Sequence, residues 1–179
     1  MLNEDLQEYT NEVAKEFGIE HPIELLMTDE EDSSWFSAPK EEFKDLPGRV
    51  YIYSKWGPKA KKEQIRHELA HAKLHWDVEG YDDAEDMVRK ELEADLLAGA
   101  RPFGLQYLMS VLVYRWGLSK RQAYLTVKRI AGELGIPKYS ISRAKTEFYK
   151  IPDKFFKEQR KLFKEGGSNT DRQVVTARV

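Results

Sequence analysis

Two observations predict an α+β protein. Short β-rich runs are confined to the stretch before residue 55, and helical periodicity governs almost everything after it. The expected architecture is a small mixed sheet packed on a histidine-bearing helix, followed by a mostly helical C-terminal region. At 179 residues and 41% hydrophobic content the chain can bury one sizeable core. It is expected to divide into a core over 1–100, a basic helical region over 101–165 packed on it, and a disordered polar tail over 166–179.

Taken in order, Leu2, Leu6, Tyr9, Val13 and Phe17 recur every three or four residues and make an amphipathic helix that Gly18 ends. Pro22 to Met27 reads as a strand, the acidic run Asp29 to Asp32 as a solvated turn, and Ser34 to Ala38 as a second strand. A loop from Pro39 to Gly48 leads to a third strand, Arg49 to Ser54, closed by Gly57-Pro58. This third strand directly precedes the histidine-bearing helix, so it is expected to offer its backbone to an extended peptide as well as to serve the core.

The informative stretch follows: Ile65-Arg66-His67-Glu68-Leu69-Ala70-His71. Strong helix formers surround it, and neither Pro nor Gly occurs from Lys59 to Glu79. In a helix the four-residue interval sets His67 and His71 on one face, one turn apart, where two imidazoles can grip one ion. Glu68 then stands beside them as the base for a metal-bound water, which is hydrolytic chemistry. The chain has no cysteine, so His and carboxylates are the only strong ligands, and zinc is the expected ion.

A third ligand is needed, and the four histidines do not supply it. His21 is far upstream. His75 continues the series on the same helix, but three imidazoles spread over two turns do not readily reach one ion. After an acidic loop from Asp77 to Asp86, a helix from Ala84 to Gly99 carries Glu91, Glu93 and Asp95. Glu91 and Asp95 share a face and Glu93 points away. Glu91 therefore pairs with Asp95, one binding the metal and the other steadying a ligand histidine through its free N–H, with Glu91 the preferred ligand. Tyr81 and His75 are candidates for a donor to an oxyanion.

His67-Glu68-Leu69-Ala70-His71, with Glu91 twenty residues beyond His71 and Asp95 four further on, resembles the gluzincin arrangement. More narrowly, the strand before the helix, the His-Glu-Leu-Ala-His-Ala-Lys-Leu-His run and Glu91-x-x-Ala94-Asp95 resemble the ImmA/IrrE family of metallopeptidases over about 22–101. That family usually carries Asn where this chain has Asp95, and an aromatic-Ala pair where Leu96-Leu97-Ala98 stand. The resemblance implies a zincin-like metallopeptidase core in which His67, His71 and Glu91 bind zinc and Glu68 is the base. It also implies a protein substrate, with DNA-bound transcriptional repressors as the associated class. SprT-like proteases share the first motif but take a third His downstream, and no His follows His75.

Charge separates the two regions. Residues 1–100 hold 12 Lys and Arg against 25 Asp and Glu, and residues 101–165 hold 15 against 5. A basic module of this kind suits nucleic acid or an acidic partner, and equally suits holding the chain's own acidic part. Phe103 to Trp116 reads as an apolar core helix, and Ser119 caps a helix running to Glu133. Arg129 to Ala144 resembles a helix-turn-helix unit, with Ala131 at the crossing, Gly135 in the turn, and Ile136 and Ile141 burying the second helix. Lys138, Tyr139, Ser140, Ser142, Arg143 and Lys145 are then the candidate DNA-contacting residues. A last helix is expected over Lys150 to Lys164. The acidic, polar N-terminus is unlike a signal peptide, so the expected location is the cytoplasm, with no membrane partner. The competing expectation is a DNA-binding regulator or adaptor that keeps a peptidase-like fold without hydrolysis.

Overall fold

The computed structural model describes residues 3–30, 34–40, 45–76, 80–99 and 104–165. The tail over 166–179, with Leu2 and Phe103, lies outside the described residues. Over the described residues the protein is α+β: α1 (Asn3–Glu16), β1 (Ile23–Thr28), β2 (Ser34–Ser37), β3 (Gly48–Tyr53), α2 (Pro58–Leu74), α3 (Ala84–Ala98), α4 (Leu105–Tyr114), α5 (Lys120–Glu133), α6 (Lys138–Lys150) and α7 (Asp153–Glu165). It forms two compact units. One takes the chain up to Gly80 together with the second part of α3 from Glu93; the other takes Tyr81–Leu92 and α4 to α7. The helix α3 therefore belongs to both.

In the first unit the sheet order is β1-β3-β2, with β1 parallel and β2 antiparallel to β3. The strand before the histidine-bearing helix is thus the centre of the sheet. Both of its edges are already paired, which corrects the expectation that it takes a peptide by strand addition; among the described residues β2 is paired on one edge only. Val50 and Ile52 are fully buried beneath α1 and α2, while on the opposite face Trp35 stacks on its paired residue Tyr51 at 4.4 Å. Gly48 admits no side chain: a Cβ there would come within 2.8 Å of Trp76 and 2.9 Å of Phe36.

Leu6, Val13 and Phe17 of the first amphipathic repeat are buried against Ile65, Leu69 and Ala70 of α2 and against Ala94 and Ala98 of α3. Arg66 locks this arrangement. Its guanidinium donates to both oxygens of Glu16 at 2.8 and 2.7 Å, and its Nε donates to the Ala98 carbonyl at 3.0 Å. The Arg66 side chain thereby ties α2 to α1 and to the end of α3.

In the second unit α4 is apolar on nearly every side because α5, α6 and α7 all pack on it. Its Leu108, Met109 and Leu112 form one core with Val88 and Leu92 of α3, Val127 and Ile130 of α5, and Phe148 of α6. Ser119 caps α5 through a reciprocal bond with Gln122. At the α5–α6 turn Gly135 has φ +75°, which permits the Ile136 N–H to reach the Ala131 carbonyl at 2.8 Å. Ala131, Ile136 and Ile141 are buried, as the helix-turn-helix spacing predicts. The last helix starts at Asp153, three residues later than expected, because Pro152 interrupts the run after Lys150.

Candidate metal centre

Helix α2 presents His67 and His71 one turn apart, and their Nε2 atoms face each other at 3.1 Å. Two nitrogens held by a tetrahedral zinc at about 2.05 Å would stand about 3.3 Å apart, so the pair is spaced for one ion with little movement. His67 is fixed from its other side. Asp95 Oδ1 lies 2.8 Å from His67 Nδ1, and the two side chains are 10% and 13% exposed. A carboxylate there accepts a hydrogen bond from Nδ1–H, the tautomer that keeps the Nε2 lone pair on the side facing His71.

Glu91 stands one turn before Asp95 on the uninterrupted helix α3, so its position relative to the His67 ring follows from the helix that carries both acids. Ligand atoms of His67, His71 and Glu91 all lie within 4.8 Å of one another, and this group could hold a metal ion. Two imidazoles and one carboxylate are a donor set that zinc accepts, and in general three protein ligands leave a tetrahedral ion one further position. Glu91 is 7% exposed, and the Tyr81 hydroxyl donates to its Oε1. Nearby, burial pushes the Tyr107 phenol well above its usual range, and the Glu91 carboxylate pushes it in the same direction.

Glu68, the candidate base, is buried at the start of the same turn as the two histidines. The Ser34 hydroxyl donates to Glu68 Oε1 at 2.7 Å. Ser34 is itself buried and opens β2, so the edge strand and the candidate base are joined by one hydrogen bond. Nothing in the sequence near Ser34 marks it; the contact spans thirty-four residues and exists only because β2 pairs with β3.

Other side chains fall differently. Helix α2 ends at Leu74, and His75 is its C-cap with φ −136°, so His75 leaves the helical series rather than extending it. Its ring centroid is 5.7 Å from that of His71, and its Nε2 is 3.9 Å from Glu93 on the flank of α3. Glu93 is half-buried and is not among the convergent ligand atoms. The Tyr81 hydroxyl meets the carboxylate of Glu91.

In the second unit Lys138, Tyr139, Ser142, Arg143 and Lys145 are exposed on α6, and Ser140 is half-buried. Lys145 and Lys128 both lie over the Tyr124 ring, at 4.9 and 5.9 Å. Tyr149 stands 6.3 Å from that ring. Arg129 is engaged by Glu85 and Glu133, so part of the unit's positive charge is spent internally. Among the described residues no helix is long and apolar enough to cross a membrane. No protein-family model matches the chain, and neither does any curated protein or any solved structure compared with it.

Proposed function

We propose that the protein is a zinc-dependent metallo-endopeptidase of the gluzincin kind, related to the ImmA/IrrE family that its motifs resemble. The observation that carries the proposal is the convergence of His67, His71 and Glu91 with a buried carboxylate, Glu68, next to the first ligand. Zinc bound there would supply Lewis acidity towards a water and a peptide carbonyl. His67, His71 and Glu91 would hold the ion, and Asp95 would keep His67 in the tautomer that can do so. Glu68 accepts the proton of the water and passes a proton to the leaving amine nitrogen. Ser34 occupies one oxygen of that carboxylate and so directs the other. An extended substrate would lie along the other edge of β2, pairing its backbone antiparallel to the strand that carries Ser34.

In this reading the substrate is a protein in the cytoplasm, of the class of DNA-bound repressors. The test uses a soluble cell extract incubated with zinc-loaded wild-type protein and with Glu68→Gln. New N-termini are then read by mass spectrometry. Cleavages made by the wild type and lost in Glu68→Gln, with one zinc retained per chain in both, support the proposal. Identical N-termini in the two samples would overturn it.

The exposed basic and aromatic face of α6 favours a second activity, contact with DNA through Lys138, Tyr139, Ser140, Ser142, Arg143 and Lys145. It is compatible with a peptidase that finds its substrate on DNA, and also with a regulator or adaptor that does not hydrolyse anything. Those two are separated by the same Glu68→Gln comparison.

A further inference from the structure

The seam between α2 and the second part of α3 is apolar but smooth. Ile65, Leu69 and Ala70 meet Ala94 and Ala98 there, and an alanine has nothing beyond Cβ to interlock with a neighbouring helix. Register along the seam therefore falls to polar contacts. Arg66 Nε donates to the Ala98 carbonyl at 3.0 Å, and His67, the next residue of α2, has its Nδ1 2.8 Å from Oδ1 of Asp95, one turn back along α3. The two helices thus run antiparallel at this point, and one turn further along each stand His71 and Glu91. We infer that Arg66 is a positioning residue for the proposed metal centre: by holding the end of α3 it sets the register in which Asp95 meets His67. The inference rests on the metal reading above.

The guanidinium is fixed from the side of α1, independently of α3. Glu16 takes two of its N–H groups at 2.8 and 2.7 Å, and its carbon stands 5.1 Å from the centre of the Phe17 ring. The acceptor it presents itself to is equally fixed. Ala98 is the last residue of α3 and Gly99 follows at φ +68°, so the Ala98 carbonyl is one of the terminal groups without a partner inside the helix, at the end where the helix dipole favours a cation. A backbone carbonyl cannot swing away as a side chain can. Ligand constellations have to be held to about 0.5 Å, which is less than the rise of one helical residue, about 1.5 Å. A rigid contact one residue from His67 meets that demand where the alanine seam does not.

Arg66→Lys in the full chain keeps the charge and removes Nε–H and the planar fork. Two readouts need no substrate. In the metal-free chain the hydrogen-bonded His67 Nδ1–H gives a downfield proton NMR signal, assigned by its absence from Asp95→Ala; zinc affinity is measured by competition with a chromophoric chelator. Arg66→Lys should displace or abolish that signal and raise the zinc Kd about 10-fold, the low end of what outer partners of a metal-bound histidine contribute. Glu16→Gln, which weakens the grip on α1 and leaves Nε and the Ala98 carbonyl in place, should lower the melting temperature with signal and Kd unchanged. Should Arg66→Lys fail to fold, Gly99→Ala disturbs the other partner: no described atom lies within 4 Å of the added Cβ, so it acts only by straining the φ +68° turn, and it should move both readouts in the same direction by less. A folded Arg66→Lys whose Kd stays within twofold of wild type and whose signal is unmoved overturns the role of Arg66 and leaves the metal site standing. Equal losses in Arg66→Lys and Glu16→Gln overturn it too, because the effect then comes from the docking of α1. Wild-type protein that takes up no zinc, or takes it up equally after His67→Ala with His71→Ala, overturns the metal reading and this inference with it.

Discussion

Replacing Asp95 is the sharpest probe of the proposed centre, because its contact with His67 can be weighed in parts. The Nδ1–Oδ1 distance is 2.8 Å and both side chains are nearly buried, so solvent screens the bond little. Fixing the tautomer contributes least: a ring free to carry its proton on either nitrogen loses about a factor of two, roughly 0.4 kcal/mol. The hydrogen bond to a charged acceptor is larger, about 1.5–3 kcal/mol. Losses on removing such a partner from a metal-bound histidine run to about 10–100-fold in affinity, or about 1.4–2.7 kcal/mol, and the two figures agree. Asp95→Ala should therefore weaken zinc by that much, measured by chelator competition on the purified chain. Asp95→Asn can still accept the Nδ1 proton but brings no charge, and should fall between Ala and wild type. If Asp95→Ala bound zinc within twofold of wild type, the assignment of His67 Nε2 as the metal-facing atom would be wrong.

Zinc at about 1,000 times its Kd should stabilise the protein by about 4 kcal/mol and raise the melting temperature, while His67→Ala with His71→Ala should melt alike with and without the ion. Ser34→Ala leaves a buried carboxylate oxygen of Glu68 without its hydroxyl donor, so a loss of about 1–3 kcal/mol in urea unfolding is expected; zinc affinity should not change, and a change would mean that Ser34 acts on the ligands instead. Phe148→Ala opens the fully buried centre of the second unit and should cost about 3–5 kcal/mol, against about 0.5 kcal/mol or less for Leu162→Ala, which is 61% exposed. Arg66 holds the Glu16 carboxyl below its ordinary value of 4.5. A lowered carboxylate stabilises the fold above that value and loses its contribution as pH falls through the folded-state value. Glu16→Gln should accordingly lower stability near neutrality and flatten the acid limb of the pH–stability curve, and an unchanged limb would count against the clamp.

Helical spacing made much of this legible in advance. An interval of four puts His67 against His71 and Glu91 in line with Asp95, and those local rules survive whatever the rest of the chain does. The buried face of α1, the apolar α4 and the glycine at the α5–α6 turn were legible for the same reason. What the sequence hid depends on pairing between distant segments. The Ser34–Glu68 bond and the central place of β3 require the sheet order, which alternation of residue types does not specify. The Tyr81–Glu91 bond was hidden by the ten positions that separate the two residues, bridged by the conformation of a capped turn. His75, set aside as a ligand on spacing alone, packs beside His71, and the helix stops one residue before it; end positions are the least determined part of any helical pattern.

The order β1-β3-β2 also dictates how the first unit can come into being. Its two earlier strands share no edge, so they cannot zip into a hairpin while the chain is still short. They must wait, apart, until the segment from Gly48 to Tyr53 inserts between them and supplies partners for both. A fragment ending before that segment lacks the partner of both strands, and the parallel pairing of β1 with β3 must span all of β2 and its flanking connections, the slower of the two closures. Folding in the first unit is thus an event of its last strand, and the helix that carries the histidines begins only five residues after that strand ends.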